Sequence, residues 1–326
     1  MGMLTTFKAL LLSSVMLSQT AYASENKVNL VVFGDSATVG TLGNTTIGVR
    51  YNPLLKWATS VIPAIFSFGA GTDLEGEAVL NETKMGRVNL LLSNNDMTPW
   101  LGKESYSLPV KFEKALGQKV EVHNFAFPGM SWRMVGTRID KLDAKVNKEK
   151  FKADYIVLDL GGIDFMINSS ISDFKAHVTQ NLKRIASTYA SADIIITGIQ
   201  PMMQVLNNVD RAASFDGEGN PVQFCADIFK EAGIGLKLKL GRDAKPSDVD
   251  FQSRRLAQME AVLENAVEEL NLGLLSERYE GKARYIAIDQ DVDDSQLAAD
   301  CLHPSQKGHE TVANIVWEQL KGTLSR

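Results

Sequence analysis

Apolar residues along this chain gather into short runs rich in Val and Ile, at 28–33, 120–125, 155–160, 194–197 and 285–288. Runs of this length predict strands, and those apolar at successive rather than alternate positions predict strands buried on both faces. Elsewhere the spacing changes. Within 172–190, Phe174, Val178, Leu182 and Ile185 recur at intervals of three and four behind a Ser/Asp start, which predicts a helix with one apolar face. The same period runs over 251–272 and stops at Gly273, a residue suited to the turn that ends a helix. A third helix is predicted over 305–320. Strands buried on both faces and alternating with helices need helices on either side of a parallel sheet, so the pattern predicts an α/β fold of three layers, α/β/α.

Two stretches, at about 41–116 and 202–250, exceed what a minimal domain of this kind needs. The first holds the apolar segment YNPLLKWATSVIPAIFSFGAG, which Lys56 and Pro63 interrupt, so no stable membrane span is expected there. The second holds the turn-rich FDGEGNP and the Lys-rich GLKLKLGRDAKPSD. Both are expected to be surface insertions in a single domain covering 24–326.

The beginning of the chain alters the picture of where this domain works. Lys8, an apolar run over 9–17 and the triplet Ala21-Tyr22-Ala23 make residues 1–23 read as a cleavable secretory signal. The run is shorter than the roughly 20 residues that span a bilayer, which weighs against the alternative of an N-terminal anchor. The mature protein is therefore expected to be exported, periplasmic or secreted. In an oxidising compartment the two cysteines, Cys225 and Cys301, are expected to pair, the alternative being two buried free thiols.

Composition adds mainly exclusions. With 44% hydrophobic and 22% charged residues the chain suits a folded soluble protein. Its net charge of −5, without a basic stripe, argues against a nucleic-acid partner. The four histidines are scattered and no Cys/His spacing fits zinc, so neither a metal nor a cofactor is expected. Nothing in the sequence specifies an oligomeric state.

Candidate chemistry sits where the pattern places the ends of strands. In a parallel α/β sheet the ligand crevice lies beyond the carboxyl ends of the strands, and Gly34-Asp35-Ser36 directly follows the first run. A serine hydroxyl is a weak nucleophile until a base takes its proton, and that base needs an orienting partner. Asp300 and His303, three residues apart in the loop before the last helix, lie on the same rim and supply both. His309 reads as structural or surface, and His123 and His177, in a strand and a helix, as packing or surface residues. Asp35 and Asp164 flank the site and are expected to bond local backbone.

Gly34-Asp35-Ser36, the segment NFAFPGMSW after the second strand, and Asp300-x-x-His303 followed by Pro304 together resemble the SGNH, or GDSL-type, hydrolases. The resemblance implies a flavodoxin-like α/β/α sandwich with a five-stranded parallel sheet, carrying an esterase or lipase that uses no metal. It implies Ser36 as nucleophile, His303 as general base and Asp300 as its orienting carboxylate. The backbone N–H groups of Ser36 and Gly129 would form the oxyanion hole. One block departs from the family. Where the family has Gly-x-Asn-Asp, with the Asn side chain donating to the oxyanion, this chain reads Gly161-Gly162-Ile163-Asp164. An isoleucine donates nothing, and loss of one such donor typically costs about 10²- to 10³-fold in rate. Asn44 and Asn168 are candidate substitutes.

The expected partner is a small-molecule or lipid ester. Trp57, Ile62, Ile65, Phe66 and Phe68 of the first insertion form either an acyl-binding wall or ordinary packing, which tilts the expectation toward acyl-lipid or simple acyl esters over acetylated sugars. A non-catalytic binding protein on the same fold and an acyltransferase are the alternatives. A Cys225–Cys301 bridge would tie the loop of Asp300 and His303 to the second insertion.

Overall fold

The computed structural model describes residues 27–39, 49–50, 100–207, 210–231, 238–240, 244–298 and 301–324. In chain order the strands are β1 (Lys27–Gly34), β2 (Val49–Arg50), β3 (Lys119–Asn124), β4 (Tyr155–Asp159), β5 (Asp193–Thr197), β6 (Ala212–Phe215), β7 (Pro221–Phe224) and β8 (Ala283–Ile286). The α-helices are α1 (Ser36–Val39), α2 (Leu108–Leu116), α3 (Val135–Glu149), α4 (Gly162–Met166), α5 (Ile171–Thr188), α6 (Met202–Asn207), α7 (Cys225–Glu231), α8 (Pro246–Asn271) and α9 (Gln306–Leu320). The five strands expected from the apolar runs are the five of the central sheet, each within two residues of its expected ends.

That sheet has the order β3-β1-β4-β5-β8, and every neighbouring pair is parallel. This is the flavodoxin-like order, with the chain reversing its direction of travel across the sheet beside β1. Alternation along each strand divides the core in two. Val31 and Phe33 of β1, Ile156 and Leu158 of β4, and Ile194 and Ile196 of β5 point to one face, where they meet Ile139 of α3, Val178 and Leu182 of α5, and Leu263 of α8. Leu30, Val32, Val157 and Ile195 point to the other, where Leu108 and Phe112 of α2 and Val312 and Val316 of α9 cover them. Both faces being apolar explains why β4 and β5 show no polar alternation, whereas β3, at the edge of the sheet, alternates Val120 and Val122 with Glu121 and His123.

Helix α2 lies inside the stretch that the sequence pattern assigned to the first insertion, yet it packs on β3 and buries Phe112 completely. Pro109 suits its first turn, and Gly117, at φ 63°, ends it in the left-handed conformation. Helix α8 begins five residues before the expected start, at Pro246. Strands from both stretches form a second sheet, with β6 parallel to β2 and antiparallel to β7. The β6–β7 turn is held by Asp216, whose Oδ1 accepts the N–H groups of Glu218 and Asn220. Residues 1–23, Asn44 and the aromatic and apolar residues of 57–68 lie outside the described residues.

Candidate active site

Strand β1 ends because the chain turns at Gly34 straight into α1. A side chain at Gly34 would not fit, since a Cβ there would stand 2.0 Å from Oγ1 of Thr38. The turn makes Ser36 the first residue of α1, at the carboxyl rim of the sheet. Asp35 caps the turn: its Oδ1 accepts the N–H of Ala37 at 2.9 Å, while its own N–H donates to Oγ1 of Thr38.

His303 arrives from the far end of the chain. Its Nε2 lies 2.7 Å from Oγ of Ser36, and both side chains are buried. The segment that carries it is held from several sides. Ala298 N–H donates to the His303 carbonyl at 2.7 Å, Ser305 N–H donates to Gln296 O at 2.8 Å, and Leu297 bridges to Pro304. Cys301 is joined to Cys225, the first residue of α7, by a disulfide with a Cα–Cα distance of 5.6 Å. The expected bridge is thus present and ties this segment to the 202–250 stretch. Asp300 lies outside the described residues.

Two neighbouring turns complete the rim. After β3, Phe127 N–H donates to Gly34 O at 2.9 Å, which brings the following Pro128-Gly129 turn beside the end of β1. Gly129 is buried and has φ 80°. After β4, Gly161 takes φ 122°, and a Cβ there would stand 2.7 Å from Ile199. Ile163 and Asp164 are both buried. Beyond the local backbone contact expected, with its own N–H, Asp164 reaches a second loop, its Oδ2 accepting the N–H of Trp132 at 3.0 Å. Arg255 of α8 clamps this turn through the carbonyls of Asp164, Phe165 and Ser169. Asn168 ends the turn at φ 61° and is not among the residues that line the cleft.

A narrow cleft over Ser36 opens to solvent. Asp35, Ser36, Gln200 and His303 give it polar groups, while Met166, Ile199, Met202 and Leu302 give it apolar walls. Beneath it, Asp159 at the end of β4 accepts the hydroxyl of Thr38 on one carboxylate oxygen and that of Thr197 on the other, each at 2.7 Å. This carboxylate therefore laces the ends of β4 and β5 to the helix that follows β1. Burial, and then the neighbouring Asp159, push the Asp35 carboxyl up to about 7. Burial likewise raises Asp164 to about 7, against the opposing pull of the Trp132 N–H. Burial also raises Asp159, opposed by its two threonine hydroxyls.

The remaining histidines divide. His309 is completely buried, and neither ring nitrogen has a hydrogen-bond partner among the described residues. Burial, and then the charge of His303, push it down to about 3. His123 is buried too, stacked on Phe151 with ring centroids 3.9 Å apart. His177 lies half-buried on α5. Among the described residues no group of His, Cys, Asp and Glu is arranged to hold a metal ion.

A family model for GDSL-like lipases and acylhydrolases matches residues 30–316. The chain belongs to the GDSL-like lipase/acylhydrolase family. It is thereby a carboxylic ester hydrolase of the SGNH type. Similar solved structures include a family 3 carbohydrate esterase of Clostridium thermocellum, 11% identical, covering 92% of this chain and 98% of that one, with a TM-score of 0.47. An acetylxylan esterase of Geobacillus stearothermophilus is 14% identical over 92% of this chain and 96% of its own, with a TM-score of 0.43. A psychrotrophic esterase of Pseudoalteromonas is 11% identical over 91% and 99%, with a TM-score of 0.42. No curated protein sequence matches the chain.

For a GDSL-like hydrolase, the sequence motifs locate the ends of the rim but not what lies beneath it. Asp159, Thr38 and Thr197 carry no motif. The one available signal is an acidic residue, Asp159, inside the apolar run 155–160, where only a satisfied charge can stay.

Proposed function

We propose that this protein hydrolyses carboxylic esters through an acyl-enzyme on Ser36. The observation that supports this most directly is the 2.7 Å approach of Ser36 Oγ to His303 Nε2 between residues from opposite ends of the chain. In the proposed reaction Ser36 attacks the ester carbonyl while His303 takes the hydroxyl proton at Nε2. His303 returns that proton to the departing alcohol, and a water activated by the same nitrogen then releases the acid. Asp300 serves as the carboxylate that orients His303. The backbone N–H groups of Ser36 and Gly129 donate to the oxyanion. The N–H of Ser36 suits that role, since the first N–H groups of a helix have no partner within it.

Apolar walls from Met166, Ile199, Met202 and Leu302 favour simple acyl esters or acyl lipids over acetylated sugars. The signal-like segment 1–23, together with the disulfide, supports export to the periplasm or the medium. Among the described residues no helix is long and apolar enough to cross a membrane.

Nitrophenyl esters of increasing chain length, assayed with the wild type and with Ser36→Ala, test this reading. Ser36→Ala is expected to lose at least about 10⁴-fold in kcat, as removal of a triad nucleophile does elsewhere. Equal rates would refute hydrolysis at Ser36, and turnover only with an added alcohol would assign a transferase instead.

A further inference from the structure

Ile163 leaves the oxyanion hole one donor short of the family pattern, and Asn168 does not reach the cleft. A different polar group stands beside Ser36. Asp35 is buried and lines the same cleft as Ser36 and His303. Its Oδ1 is occupied by the N–H of Ala37 and the N–H of Thr38 lies near the carboxyl, whereas Oδ2 takes no full-strength hydrogen bond from the described residues. That oxygen faces the Gly162–Ile163 turn, since a Cβ at Gly162 would stand 3.4 Å from it. The missing side chain at Gly162 keeps it uncovered, next to the place where the family amide would begin.

We propose that Asp35 supplies the missing donor: its neutral carboxyl donates a hydrogen bond from Oδ2 to the oxygen that becomes negative when Ser36 adds to the ester. This rests on the proposed acyl-enzyme chemistry. As the Ser36 Oγ–carbon bond forms, the carbonyl π pair moves onto oxygen and the hydroxyl proton passes to His303. Asp35 keeps its own proton throughout and only donates a hydrogen bond.

The surroundings decide which carboxyl of the neighbouring pair holds a proton. Asp159 receives two hydroxyl donors, from Thr38 and Thr197, which stabilise its negative charge. Asp35 receives the backbone N–H of Ala37 on Oδ1 and a weaker pull from that of Thr38, but no hydroxyl, and it meets Asp159 as a like charge, so the proton resides on Asp35. The charged groups that face it are Asp159 from β4 and His303 from the segment before α9, and they push in opposite directions. With burial the dominant influence, Asp35 ionises near pH 7. An ionised Asp35 would oppose the oxyanion instead of binding it, so only the protonated form suits this position. A carboxyl held neutral by its environment is an effective donor to such an oxygen.

The test measures kcat and KM of the full-length protein on one nitrophenyl ester between pH 5.5 and 9, for the wild type, Asp35→Asn, Asp35→Ala and Ser36→Ala. In the wild type kcat is expected to fall as pH rises through about 7, because Asp35 then loses its proton. Asp35→Asn keeps an acceptor for Ala37 and an N–H donor in place of Oδ2. It is expected to lose no more than about tenfold in kcat and to show no alkaline decline. Asp35→Ala is expected to lose about 10²- to 10³-fold in kcat with little change in KM. A wild-type profile without the alkaline decline would overturn the proposal, as would equal losses in the two Asp35 variants. The wild-type profile and Asp35→Asn decide the matter if Asp35→Ala does not fold. Ser36→Ala separates the two levels: full activity there overturns the hydrolase reading itself, whereas its inactivity alongside a failed Asp35 result overturns the donor alone.

Discussion

Thr38 shows how much of this site depends on a single hydroxyl group. Its Oγ1 accepts the N–H of Asp35 and donates to Asp159 at 2.7 Å, so the turn that presents Ser36 is fixed to the end of the neighbouring strand. Thr38→Val keeps the shape and removes both bonds, leaving a buried carboxylate short of one donor. The expected loss is about 1–3 kcal/mol of stability, read from urea denaturation midpoints, and an unchanged midpoint would refute the role assigned to this hydroxyl. Apart from Asp159 standing inside an apolar run, none of this is visible in the sequence, because nothing marks Thr38 as its partner 121 residues away. Ser36 and His303 were legible for the opposite reason. Each sits at a fixed place in the strand-and-helix pattern, a strand end and a helix start, where the fold converges whatever the distance along the chain.

The elements were legible in proportion to how fully they are buried. The central strands announce themselves because both faces are apolar, and α5 does so because its apolar residues repeat over five turns. Helix α3 does not. Its buried face is Val135, Ile139 and Leu142 only, set among lysines and aspartates, and it lies directly after an irregular turn. Helix α2, nine residues long, is likewise too short for its period to stand out from the surrounding segment. The Cys225–Cys301 bridge acts at this scale, since it joins the first turn of α7 to the segment that carries His303 across a sequence separation of 76. Closing a loop of that length in the unfolded chain corresponds to about 4 kcal/mol in the chain-entropy treatment. The Cys225→Ser/Cys301→Ser variant is expected to melt at a lower temperature and to lose kcat more than it raises KM, because the base loses its fixed position while the cleft walls remain. Calorimetry together with ester kinetics checks both. A variant with lower stability but unchanged kcat would show that the bridge only supports the fold.

Across the whole molecule, three buried ionisable groups pull stability in opposite directions with pH. His309 is held neutral, its folded value of about 3 lying below the unfolded value near 6.5. Stability from this group is therefore present above about pH 6.5 and is lost as pH falls toward 3, because only the unfolded chain takes up the proton. Asp35 and Asp164 behave the other way. Their folded values near 7 lie above the unfolded value near 3.9, so their contribution is complete below about pH 4 and is lost as pH rises through 7. Between pH 4 and 6.5 all three act, and the histidine offsets part of what the two acids gain. His309→Phe removes only the histidine's share. Its stability relative to the wild type is expected to improve steadily as pH drops from 6.5 to 4, whatever constant offset the packing of the larger ring introduces. Urea midpoints for both proteins at half-unit intervals measure that difference, and a gap independent of pH over this window would mean that His309 is not held neutral in the folded protein. The sign also bears on catalysis. With His309 unable to take a proton beside it, His303 is the histidine at this rim that can carry one in the proposed reaction.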